Sequence, residues 1–235
     1  MQFSSVIGQH HIKKLLIQEV NNGKISHAQL FYGEPGYGIL PLALAFVQYL
    51  FCENKSQEDS CGICPSCKKV QELQHPDLHF SFPVVQTLGK TSDLFLGDWR
   101  KQVAENSYFD LYEWTNRIDS KSRKPIISVD ESKEILRKLS LKSFEGGFKV
   151  ILIWLPEEMN EQCSNKLLKI LEEPPNNTLF LLVSQAPDKL LLTIQSRTQK
   201  IQVPRIDLGE LSNYFKTQLG KNSAQSDSIA AFAEG

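Results

Sequence analysis

An apolar segment, Gln29-Leu30-Phe31-Tyr32, runs into three closely spaced glycines, Gly33, Gly36 and Gly38, and then into a second apolar stretch. That order is the strand–loop–helix frame of a phosphate-binding loop, GxxxxGK[ST]. Glycines let backbone N–H groups approach a phosphate, and the N-terminus of the following helix adds partial positive charge. The working side chains of the frame are missing. Ile39 stands at the lysine position, Leu40 stands at the Ser/Thr position that would hold Mg²⁺, and Glu34 puts a negative charge in the loop. Two readings fit this stretch alone. It is an ordinary glycine turn, or it is a degenerate nucleotide loop that keeps the fold without hydrolysis.

A second place in the chain separates them. In a working nucleotide hydrolase of this layout, a later buried strand ends in an acidic pair that handles Mg²⁺ and water. Here Val150-Ile151-Leu152-Ile153 is followed by Trp154 and Leu155. Glu157 and Glu158 come only after Pro156, where they are expected to favour a helix dipole rather than a metal. Both losses remove the same chemistry, so a degenerate ATPase fold is the better expectation. ATP binding is then expected to be absent or weak.

The hydrophobic pattern supports an α/β fold. Helical periodicity spans 8–20, 39–51, 68–74, 130–140, 160–173 and 189–194. Apolar runs of strand type fall at 28–32, 78–82, 148–154, 179–184 and 200–203. This alternation predicts a parallel sheet covered by helices on both faces. From 207 onward the pattern is helical, broken at 220–223, and it reads as a separate small domain. It stops at Gly235 in mid-pattern, as expected of a fragment. Residues 84–124 carry Phe95, Trp99, Tyr108, Phe109, Tyr112 and Trp114 without clean periodicity. They read as a partly helical insertion whose aromatics form local core.

Cys61-Gly62-Ile63-Cys64-Pro65-Ser66-Cys67 is a tandem CxxC arrangement, with Cys52 upstream. Each CxxC turn points two thiolates at one ion, and tetrahedral Zn²⁺ takes four such ligands. Cys52, Cys61, Cys64 and Cys67 are therefore the expected ligands of a closed, structural zinc site. Cys163 lies apart, in a helical stretch, and reads as a small buried residue.

Composition limits the partners. The 235-residue chain has 41% hydrophobic residues, 23% charged residues and a net charge of −1. It therefore has no global attraction for nucleic acid or membrane. A DNA-reading zinc element is disfavoured by that near-neutral charge. The start, Met-Gln-Phe-Ser-Ser, lacks the basic and apolar segments of a secretory signal. No apolar run reaches membrane-spanning length. A cytoplasmic location is the expectation.

Several stretches together resemble one family. They are Val6-Ile7-Gly8-Gln9, the run from His27 to Gly33, the cysteine insert after the loop helix, and His75-Pro76-Asp77. The most specific is Asn165-Lys166-Leu167-Leu168-Lys169-Ile170-Leu171-Glu172-Glu173-Pro174-Pro175. Ser184 ends a strand at a sensor position, and Ser196-Arg197-Thr198 is similar to a Ser-Arg-Cys motif with threonine in place of cysteine. The chain thus resembles the clamp-loader family of AAA+ proteins, on the delta-prime branch of bacterial DNA polymerase III. The resemblance implies an AAA+ domain over 1–206, a zinc module within it at 52–67, and the start of a helical lid over 207–235. It implies a subunit that does not hydrolyse ATP, with Arg197, next to Ser196, offered as an arginine finger to ATP on a neighbouring subunit. The implied partners are gamma/tau and delta subunits, with the sliding clamp and primed DNA reached through the assembly. The alternative is a gamma/tau-like or unconventional ATPase that retains nucleotide binding. Residues 84–124 exceed the family pattern, and the family's C-terminal helical collar is expected to be absent from this chain.

Overall fold

The computed structural model describes residues 1–233. Five parallel strands form one sheet: β1 (Ala28–Tyr32), β2 (Leu78–Ser81), β3 (Lys149–Trp154), β4 (Thr178–Ser184) and β5 (Gln199–Gln202). Their spatial order is β2-β3-β4-β1-β5. The sequence order therefore reverses beside β1, and in an open parallel sheet the crevice beyond the strand ends at such a point is where ligands bind.

Strands buried on both faces need apolar residues at every position, and β3 and β4 have them almost throughout. Val150, Leu152 and Trp154 of β3 face one core, and Ile151 and Ile153 face the other. The first core receives α1 (His10–Asn21) and α2 (Ile39–Phe51). The second receives α6 (Val129–Ser140), α7 (Glu161–Glu172) and α8 (Leu192–Gln195). α2 has almost no polar side because it lies between the sheet and the chain segments outside it; every residue from Ile39 to Leu50 is buried.

The remaining helices are α3 (Pro65–Gln71), α4 (Leu96–Glu105), α5 (Leu111–Ile118), α9 (Leu208–Leu219) and α10 (Ser223–Ala233). α3 begins three residues before the predicted 68, because Pro65 suits the first helical position and Cys64 caps it. The single helix expected over 189–194 is a 3₁₀ turn, Pro187–Lys189, followed by the short α8. The last two residues of the 207–235 segment lie outside the described residues.

Residues 84–124 contain α4 and α5 and join the first core. Trp99 and Trp114 are fully buried, with Phe109 close behind. Trp99 stacks on Phe82 at 4.3 Å and meets Trp114 at 5.4 Å and Trp154 of β3 at 5.3 Å. The local-core expectation holds for these rings. Tyr112 is exposed, and Tyr108 turns elsewhere. Glu131 of α6 ties the segment down by accepting from the Ser92 backbone N–H at 2.7 Å and the Ser92 hydroxyl at 2.6 Å. Among the described residues, no helix is long and apolar enough to cross a membrane.

Candidate functional site

The glycine loop leaves β1 beside the end of β4, with the Gly33 N–H donating to the Ser184 carbonyl at 3.3 Å. Gly36 and Gly38 hold positive φ, +90° and +80°, so the loop has the left-handed turns that its glycines permit. A Cβ at Gly33 would lie 2.4 Å from the Val203 carbonyl oxygen, so only glycine lets the loop pass β5. The helix behind it is closed to charge: Ile39 and Leu40 are both buried in the first core. They do more than omit lysine and threonine, because they pack α2 onto the sheet.

The end of the loop that enters α2 is also covered, while Glu34, Pro35 and Gly36 stay exposed. A Cβ at Gly38 would lie 2.9 Å from Cε1 of Tyr108. Tyr108 stands between α4 and α5, where its own N–H donates to the Asn106 side chain at 2.8 Å. Asp110 then starts α5 with a reciprocal capping box to Glu113. The Tyr108 hydroxyl accepts the Ile7 N–H at 3.1 Å. The sequence signal that could have located this turn was Asn106 followed by the Asp110-to-Glu113 helix start. Nothing in it pointed the ring toward the loop.

At the tip of β3, Trp154 and Leu155 are both buried. Glu157 does not serve a helix dipole, contrary to the sequence expectation. It sits in a 3₁₀ turn, and one carboxylate oxygen accepts from the N–H groups of Gln185 and Ala186, at 2.7 and 3.0 Å. Those N–H groups leave β4 without a strand partner, which is why they draw a carboxylate. Burial pushes the Glu157 pKa above the ordinary glutamate value, against those hydrogen bonds. Glu158 pairs with Lys124 at 3.7 Å.

The structure gathers Cys52, Cys61, Cys64 and Cys67, with all four sulfurs within 4.8 Å of one another. A tetrahedral ion with Zn–S near 2.3 Å needs sulfurs about 3.8 Å apart, and Cys61 and Cys67 are 3.9 Å apart. Backbone N–H groups of Cys61, Cys64 and Cys67 donate to Cys52, Cys61 and Cys64 sulfurs, at 3.2, 3.4 and 3.4 Å. Such donors favour thiolates, and at Cys61 the N–H groups of Ile63 and Cys64 bring the pKa down to about 6. Burial raises Cys52 and Cys67. The cluster can bind a metal ion, and with four protein ligands it leaves no open position for catalysis. Cys163 is buried in the second core, away from it. Asp59 binds the module to the chain start by accepting from the N–H groups of Phe3 and Ser4, each at 2.9 Å.

Arg197 follows α8, half-exposed, and Ser196 precedes it on the same turn. The guanidinium donates to the Thr193 carbonyl at 2.8 Å and pairs with Glu172 at the end of α7. Ser196 donates to the Thr193 carbonyl at 3.1 Å. No bond connects either residue to loop 33–38. The structure thus shows three separate places: the loop, covered at its Gly38 end, the thiol cluster and an arginine on the α7–α8 face. Glu172, within the 165–175 stretch, is the partner of Arg197, and no local signal in the sequence links the two.

A parallel sheet in this order, with a glycine loop after its first strand, defines a P-loop fold of AAA+ type. Solved structures agree. The chain is similar to a DNA polymerase III gamma subunit-related protein from Thermotoga maritima, at TM-score 0.51 and 16% identity, covering 97% of this chain and 57% of that one. It is similar also to the RuvB Holliday junction branch migration motor of that organism, at TM-score 0.53 and 15% identity, again covering 97% and 57%. The family described as "DNA polymerase III, delta subunit" matches residues 8–207, and the chain belongs to this clamp-loader family. Relatives include DNA polymerase III subunit delta' of Yersinia pestis, 30% identical over 83% of this chain and 44% of the relative. Subunit tau of Escherichia coli is 28% identical over 89% of this chain and 26% of the relative. The chain thus spans less than half the length of these relatives.

Proposed function

We propose that the chain is a delta-prime-type subunit of the DNA polymerase III clamp loader, cytoplasmic, which does not hydrolyse ATP itself. The observation that carries this is the pairing of a silent site with an arginine that no bond ties to that site. The loop has apolar residues in place of its lysine and threonine, both turned into the core, and β3 ends in Trp154-Leu155. Arg197 meanwhile makes no hydrogen bond to the chain's own loop and is held by an exposed ion pair, the Thr193 carbonyl and a 3.5 Å bond to the Ser196 hydroxyl. An exposed pair contributes about 0–1 kcal/mol, so exchange of Glu172 for a neighbour's phosphate is inexpensive. In this reading residues 1–206 are the AAA+ domain, 207–235 begin the lid, and the cysteine cluster holds one structural Zn²⁺. Gamma/tau and delta subunits are the direct partners, and the sliding clamp and primed DNA are served by the assembly.

Arg197→Ala tests the reading. The variant folds normally, while the ATPase of the reconstituted loader falls, because an arginine finger is worth about 10³–10⁵ in rate at the one site it serves. An unchanged assembled rate rules out the finger. The second reading, a tau-like ATPase, is favoured by the extent of the match to subunit tau. It requires hydrolysis by the purified chain that scales with protein concentration and disappears on Gly36 substitution.

A further inference from the structure

A molecule that sets a phosphate on loop 33–38 and the start of α2 must place the rest of its body in the space beside Gly38. That space is bounded on one side by the chain start and on the other by the last helices. Tyr108 stands in it. Its ring lies against Gly38, at a distance where even a methyl group could not fit between them. Its hydroxyl takes the Ile7 N–H, a backbone donor that would otherwise face the space. Its ring also packs with Ile7 and Phe215 on the small core of Ile206, Leu211 and Ala230.

The ring is delivered rather than left there by chance. Phe109, the next residue, points the other way and locks into Trp99 and Trp154 at 5.4 and 4.9 Å. Asn106 fixes the turn before it, and the Asp110 capping box fixes the helix after it. Two neighbouring aromatics with opposite directions make a bracket: one anchors in the sheet's core and the other covers the Gly38 end of the loop. Ser107, beside them, is buried as well.

We infer that Tyr108 is an intramolecular occupant of the nucleotide site, filling the place of a nucleoside and joining the loop, the chain start and α9. It does for this chain what bound nucleotide would do as a bridge between these parts, permanently and without a phosphate. The inference rests on the reading of 33–38 as a former nucleotide loop, and it adds a reason for silence independent of the missing lysine. Restoring the lysine is then insufficient to restore binding.

The test compares two variants of the full chain by calorimetric titration with ATP and Mg²⁺. One carries Ile39→Lys and Leu40→Thr, and the other adds Tyr108→Ala. The triple variant binds at least about tenfold more tightly than the double. Equal behaviour, whether both bind or neither does, overturns the inference. A milder variant, Tyr108→Phe, keeps the ring and removes only the acceptor. Hydrogen exchange at the Ile7 amide then speeds up by about fivefold, the equivalent of one hydrogen bond. An unchanged Ile7 rate overturns the inference even if the alanine variants fold poorly. Neither measurement involves Arg197 or a neighbouring subunit, so this inference and the proposed function fail separately.

Discussion

Glu131 and Glu157 are carboxylates whose surroundings favour the protonated form. Both are held by neutral donors, Ser92 for one and the Gln185 and Ala186 N–H groups for the other. Burial is the largest influence on each and raises its pKa, with the hydrogen bonds opposing. A raised acid binds protons more readily folded than unfolded. Stability therefore falls as pH rises from the ordinary value of 4.5 through the raised value, and the loss is complete above it. Glu134 and Glu145 have the opposite sign, lowered by Arg137 and by Lys69 respectively. Comparing a variant with wild type at each pH cancels them. Glu131→Gln should be most destabilising in acid and progressively less so toward neutral pH, read from urea midpoints across that range; parallel curves would contradict it. Gly33→Ala is a pH-independent counterpart. Its methyl would meet the Val203 carbonyl at 2.4 Å, and overpacking of this kind costs about 1–3 kcal/mol. The residues that matter here were legible unequally. The glycines announced a loop, but the partner that makes Gly33 indispensable, Val203, lies just beyond β5, far along the chain.

At the scale of elements, sequence reading succeeded where burial is continuous. β3, β4 and α2 are apolar along their length, and their bounds fell within a residue or so of expectation. It was weakest where packing is non-local. Trp99, Phe109 and Trp114 show no period because they pack against Phe82, just after β2, and Trp154 of β3 rather than along one helix face. Trp99→Ala should accordingly cost about 3–5 kcal/mol and change the near-ultraviolet circular dichroism, since all three tryptophans share that cluster. A near-neutral denaturation midpoint would mean that the segment is an appendage. The cysteines were legible because CxxC spacing is itself geometric. Elemental assay of the purified chain should find about one zinc per chain. Cys64→Ser should lose the metal and loosen the Asp59 contacts to Phe3 and Ser4, seen as faster exchange at those two amides. A metal-free chain of full stability would exclude a structural ion.

Across the whole molecule, stability is concentrated at the sheet and thins toward the end of the described chain. The central strands are buried on both faces by two large cores. Among the described residues, the core of the α9–α10 hairpin is Ile206, Leu211 and Ala230, with Phe215 partly covering it, and Phe232 is exposed. Its helices are joined by Asp227, which pairs with Lys216 at 3.2 Å and accepts from Ser212. One exposed pair adds little. What attaches the hairpin to the rest is the seam made by Tyr108, Ile7 and the His10–Glu210 pair at 2.9 Å. Regions with few buried apolar contacts open at lower free energy than the global transition. Native-state hydrogen exchange should therefore show α10 amides opening well below the free energy required by β3 and β4, with α9 between them. Urea should narrow the gap as global unfolding takes over. Tyr108→Ala should lower the α9 value toward that of α10 while leaving β3 and β4 nearly unchanged, because the ring belongs to the seam and Phe109 keeps the cluster closed. A single opening free energy shared by α10, α9 and the sheet would instead make the chain one cooperative unit, and the division at 206–207 would have to be abandoned.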